Sequence, residues 1–107
     1  MSSTRIVKKV DPSEFRKLVT PYKRSILINP HAYFRLNERQ RNVYKDEHLI
    51  SILTEENPIW VGIQQNGRYA AFFGRKNGYL RIIFQVSQQK KFEVITFFIT
   101  DTVPKIP

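Results

Sequence analysis

A chain of 107 residues, 41% of them hydrophobic and 13% aromatic, forms one domain with a single core rather than a disordered segment. Eighteen lysines and arginines against nine acids give a formal charge of +9, which points to a polyanionic partner, most often nucleic acid. Cysteine is absent, which excludes disulfides, thiol catalysis and thiolate metal sites.

In chain order, the first periodic segment is DPSEFRKLVTPY, which predicts a short helix from Asp11 with Pro12 at its first position and Pro21 at its end. SILIN (25–29) reads as a short edge strand. It feeds NPHAYFRLNER (29–39), where Asn29 is a good N-cap and Pro30 suits the first helical position, predicting a helix over 30–41. Steps of four residues advance about 400°, so His31, Arg35 and Arg39 would form one slowly drifting stripe. DEHLISILTEEN (46–57) predicts another helix that buries Leu49, Ile50, Ile52 and Leu53 and is closed by Asn57-Pro58. His48 within it reads as structural or surface.

The period then changes from helix to strand. Strands are predicted near 59–65, 68–75, 79–86 and 92–100, with two-residue turns at Asn66-Gly67 and Asn77-Gly78. Those turns would set Val61 opposite Phe72, Phe72 opposite Ile83, and Arg81 opposite Gly74. A two-residue turn at Gln88-Gln89 would add Thr96 opposite Arg81. One face would then carry Trp60, Phe73, Leu80, Ile82, Phe84, Ile95, Phe97 and Ile99 beneath the helices. The other would carry Val61, Phe72, Ile83 and Val94 around Arg81, Gln85 and Thr96, a candidate site floor. The predicted fold class is α+β, with N-terminal helices followed by a four-stranded antiparallel β-meander. Residues 1–24 are expected as a helical extension, 25–100 as the core and 101–107 as a tail.

This arrangement, with Pro30-His31-Ala32-Tyr33-Phe34-Arg35 and Arg39 matching a PHA-x-x-R-x-x-x-R pattern, resembles small toxin-like members of the barnase–EndoU–colicin–RelE (BECR-fold) superfamily of metal-independent ribonucleases. The hairpin NGR (66–68) and the last strand VITFF (94–98) are similar as well, so the likeness covers about residues 25–100. The resemblance implies a helix histidine, strand cations and a last-strand hydroxyl as working groups: His31, Arg68 or Arg81, and Thr96. It also implies an acidic inhibitor or antitoxin protein that covers the cationic site.

An imidazole titrates near neutral pH and guanidiniums are permanent cations, so the His31–Arg35–Arg39 stripe suits a phosphodiester. It equally suits a solvated helix face, and His31 equally suits a histidine hydrogen-bonded into structure. The expected catalytic set is His31, Arg35, Arg81 and Thr96. Arg39, Arg68, Arg75, Lys76 and Tyr69 are expected to bind RNA, Tyr69 by stacking. Nine scattered acids and two histidines give no convergent metal ligands, so neither metal nor cofactor is expected. The function expected is 2′-OH transesterification of RNA. The rivals are a non-catalytic nucleic-acid-binding module and a protein-interaction domain with an acidic partner. The N-terminal stretch has no continuous apolar core of a signal peptide, and no run approaches the roughly 20 residues that span a bilayer. A cytoplasmic protein without membrane association is therefore expected, with its oligomeric state open.

Overall fold

The computed structural model describes residues 5–104; the ends of the expected extension (1–4) and tail (105–107) lie outside the described residues. Strand β1 (Ile6–Val10) comes first, so residues 1–24 are not simply helical. Asp11 then caps helix α1 (Pro12–Val19), its carboxylate accepting the Ser13 N–H at 2.9 Å, and a 3-10 turn over Thr20–Tyr22 ends the segment. That hydrogen bond to the charged form holds the Asp11 carboxyl below its usual value. β2 (Ile26–Ile28) follows.

The helix expected over 30–41 is two pieces. Asn29 does cap, accepting the His31 N–H at 2.9 Å, yet only a 3-10 turn over Pro30–Tyr33 forms. Asn37 then restarts the chain as α2 (Glu38–Val43) through a reciprocal capping box with Gln40. An extended residue at Asn37 separates Arg35 from Arg39, so the three-residue stripe does not exist on one helix. Helix α3 (Asp46–Glu55) buries Leu49, Ile52 and Leu53. Tyr33 holds its start by hydrogen-bonding Asp46, and burial, then that bond, raises the phenol pKa well above normal.

The remaining strands are β3 (Trp60–Gln64), β4 (Tyr69–Arg75), β5 (Gly78–Val86) and β6 (Phe92–Thr100). Their meander is antiparallel as predicted, but among the described residues the sheet has six strands and is mixed, in the order β1-β3-β4-β5-β6-β2. β1 pairs antiparallel with β3, and β2 pairs parallel with β6. The fold is α+β.

Register departs from expectation at every turn. The first hairpin closes with Gln64 N–H to Arg68 O (2.7 Å) and Gly67 N–H to Gln64 O (2.9 Å), with Gly67 at φ +85. That is a loop of three residues, not two, ending on a left-handed glycine. The one-residue slip exchanges faces. Val61 packs under the helices, while Trp60 lies on the opposite face with Phe72. The second hairpin turns through Lys76-Asn77, pairing Arg75 with Gly78, a slip of two that leaves Arg81 on its expected face but opposite Phe72 and Phe98. A bulge beside Ile95 then shifts the last pair, so Val94 joins the helix-side core and Thr96 lies opposite Ile83. Ile99, expected in the core, is exposed.

The helix-side core centres on Phe84, stacked on Phe92 and Tyr69 and met edge-on by Phe15. Among the described residues no helix packs on the other face. There Trp60, Ala70, Phe72 and Ile83 form a smaller cluster flanked by Ile6, Phe98 and Val103, the last after β6 has ended. Among the described residues no helix is long and apolar enough to cross a membrane.

Candidate functional site on the helix-free face

The row Trp60–Phe72–Arg81–Phe98 crosses the centre of this face. The Arg81 guanidinium lies 5.1 Å from the Phe72 ring centre and 5.5 Å from that of Phe98. Its Nη2 donates to Gln64 Oε1 at 2.9 Å. Gln64 is only 1% exposed, a buried amide oriented by donating its own Nε2–H to Asn66 Oδ1 (3.2 Å) in the turn. Sequence reasoning missed Gln64, because the one-residue slip of the first hairpin is what brings it to this face.

Arg35 reaches the same ring. Its guanidinium carbon stands 4.0 Å from the centre of Phe98, a contact that the helix interruption at Asn37 permits. Arg81 is thus pressed by burial and, after that, by the charge of Arg35, and both pull its pKa below the usual guanidinium value. Two like charges around one ring favour an anion between them.

Thr96 lies one row away, its hydroxyl buried and without a hydrogen-bond partner among the described residues. Beyond it runs a polar chain: Arg68 Nε to Gln85 Oε1 (3.2 Å), Gln85 Nε2 to Glu93 Oε1 (3.4 Å), and Asn29 Nδ2 to Glu93 Oε2 (3.1 Å). Asn29 therefore does two things. It caps the turn bearing His31 and ties that turn to the strand carrying Thr96. With Asn29 N–H on Val94 O (2.9 Å) and Arg35 over Phe98, the segment holding His31 runs along β6. The His31 ring is exposed and has no hydrogen bond among the described residues, so it is not a histidine bonded into the structure. Phe34, its neighbour in the turn, is 68% exposed and was not foreseen; an aromatic so bare beside Arg35 offers a base a stacking surface.

The structure thus gathers Arg35, Arg81, Thr96 and Arg68 on or around one face, while His31 is exposed on the turn along β6 whose next residues, Ala32 and Tyr33, pack into the helix-side core. It does not gather the rest. Arg75 lies toward the helices, bound through both guanidinium nitrogens to Glu56 (2.9 and 3.2 Å). Tyr69 stacks on Phe84 in the helix-side core. Arg39 is exposed on α2, and Lys76 is exposed in the second hairpin turn. His48 stacks on Tyr44, a structural place. Among the described residues no three acids or histidines gather where a metal ion would fit. No family model, curated protein or solved structure matches this chain.

Proposed function

We propose that this chain is a metal-independent endoribonuclease that cleaves RNA by transesterification on the helix-free face of the sheet. What supports the reading is the meeting of Arg35 and Arg81 around Phe98, a paired-cation seat beside an unpartnered buried hydroxyl. In this chemistry the substrate supplies its own nucleophile. The 2′-oxygen attacks the adjacent phosphorus, the 5′-oxygen leaves, and a 2′,3′-cyclic phosphate remains. The protein has to accept the 2′ proton, return one to the leaving oxygen, and stabilise charge on the phosphorane. His31 is the proton carrier, Arg35 and Arg81 hold the phosphate, Thr96 donates a hydrogen bond to it, and Arg68 and Phe34 extend the strand's path.

The test is incubation of pure protein with total RNA in EDTA. Cleavage that persists and leaves cyclic phosphate termini is expected; intact RNA beside an active control nuclease overturns the reading. Binding carries a separate expectation. Two phosphates neutralised on a single strand give a slope of about −1.4 in log affinity against log salt, so affinity falls about sevenfold from 50 to 200 mM. Arg81→Met should flatten that slope by about half. Affinity that is flat in salt, or absent, favours the protein-interaction reading.

A further inference from the structure

Below the arginine pair, at the end of the sheet where the second hairpin turns, lies a cleft of about 490 Å³ lined by residues that the proposed chemistry does not use. Gly74 faces Tyr79 across the β4–β5 pair, and a Cβ at Gly74 would meet nothing nearer than Ile59 Cγ2 at 4.0 Å. Ile59 forms the opposite wall and is 51% exposed, though its N–H is fixed on Phe72 O at 2.8 Å. The Tyr79 ring is braced against the Trp60–Phe72 cluster. This is a slot with two apolar walls and no side chain on its floor, the shape a flat ring fills.

Its rim is chemically distinct. Gly78, at φ +143, lies so close under β6 that a Cβ there would stand 2.6 Å from Thr100 O. That approach sets Asp101 against the turn carrying Lys76, and both residues line the cleft. Among the described residues neither is in an ion pair. A carboxylate offers two adjacent acceptors and an ammonium offers donors. Of the four RNA bases, only guanine presents two neighbouring N–H donors, at N1 and N2, with acceptors O6 and N7 on its other side. Adenine and cytosine each offer a single exocyclic amine, and uracil one N–H between two carbonyls. The Watson–Crick edge is open only in a single strand.

We propose that the Ile59–Gly74–Tyr79 slot binds a guanine base of single-stranded RNA, with Asp101 accepting from N1–H and N2–H and Lys76 donating to O6 and N7. The proposal rests on the nucleic-acid reading above. Tyr79 stands two residues from Arg81 on the same strand face, about 7 Å. The base would thus belong to a nucleotide next to the phosphate held by the arginines.

The experiment measures affinity for 2′-O-methyl oligonucleotides, which lack the nucleophile and stay whole. Oligouridylate is compared with copies carrying one central guanine, hypoxanthine, adenine or cytosine. Guanine should bind about tenfold more tightly than the others, within the range of a bidentate base contact, and hypoxanthine, without the N2 amine, should lose most of that gain. Asp101→Asn, which replaces one acceptor by a donor, and Gly74→Leu, which fills the floor, should each bring the guanine copy down to the oligouridylate level. Gly74→Leu is first checked for a wild-type melting curve; Asp101 is exposed, so its variant tests the slot independently of folding. Binding with no guanine preference overturns the slot and leaves the nucleic-acid reading standing. A preference that survives both substitutions also overturns the slot. Failure to bind any oligonucleotide overturns both.

Discussion

His31→Ala should lower the rate of RNA cleavage by about 10²–10⁴-fold, the contribution of a positioned proton carrier. Affinity for an uncleavable strand should stay near wild type, because the exposed imidazole braces nothing in the fold. Arg81→Met should instead weaken binding and cleavage together. On the proposed reading its charge would meet the phosphate in the ground state as well as the transition state, so kcat/KM should fall further than affinity does. Arg81→Lys should recover little. An ammonium cannot keep the flat contacts with Phe72 and Phe98 while donating to Gln64. Initial rates on a fluorogenic RNA and anisotropy with its 2′-O-methyl copy separate these effects. Full activity in His31→Ala would move the proton carrier to another group.

The largest effect on stability is expected at Phe84→Ala. Phe84 is fully buried, 4.5 Å from Phe92 and 5.2 Å from Tyr69 in stacked contact, with the Phe15 edge at 5.9 Å. Truncating such a ring costs about 3–5 kcal/mol, against a total of about 5–15 kcal/mol for a whole domain. The melting temperature should fall by roughly 15–30 °C, with the denaturant slope unchanged. Phe34→Ala, at the exposed turn, should stay within about 0.5 kcal/mol of wild type while weakening RNA binding. A loss below about 1 kcal/mol at Phe84 would mean that the core is centred elsewhere.

Much of the fold is legible in the chain. Asn29-Pro30, Asp11-Pro12 and Asn57-Pro58 mark real boundaries, and the alternation of 60–100 yields a true meander. Register was less legible, because Asn-Gly alone does not fix loop length. The same dipeptide that suggested two residues at 66–67 ends a loop of three, told apart by the Gln64–Arg68 closing bond and by an Asn66 that is not left-handed as a type I′ turn requires; the extra loop residue is Gln65. That single residue sends Trp60 to one face, Val61 to the other, and Gln64 to the guanidinium of Arg81. The break at Asn37 was readable as Asn-x-x-Gln, a capping signature hidden by the stronger match of His31, Arg35 and Arg39 to a four-residue spacing. β1 was not foreseen, because VKKV alternates poorly and draws its pairing from β3, far along the chain. Arg81 kept its face only because the second hairpin slipped by two.

The parallel pairing of β2 with β6 has a consequence in time. Ile26 finds Phe92, and Ile28 finds Val94, only after nearly the whole domain exists. Contacts between such distant parts of a chain close late, since loop entropy is spent before they return anything. The β3–β6 meander can zip locally as it emerges during synthesis, but the strand that leads into His31 and Arg35 has no seat until residues 92–100 have left the ribosome. Arg35 has no Phe98 to rest on before then. A nascent chain therefore carries the pieces of the arginine pair without the pair until β6 has emerged.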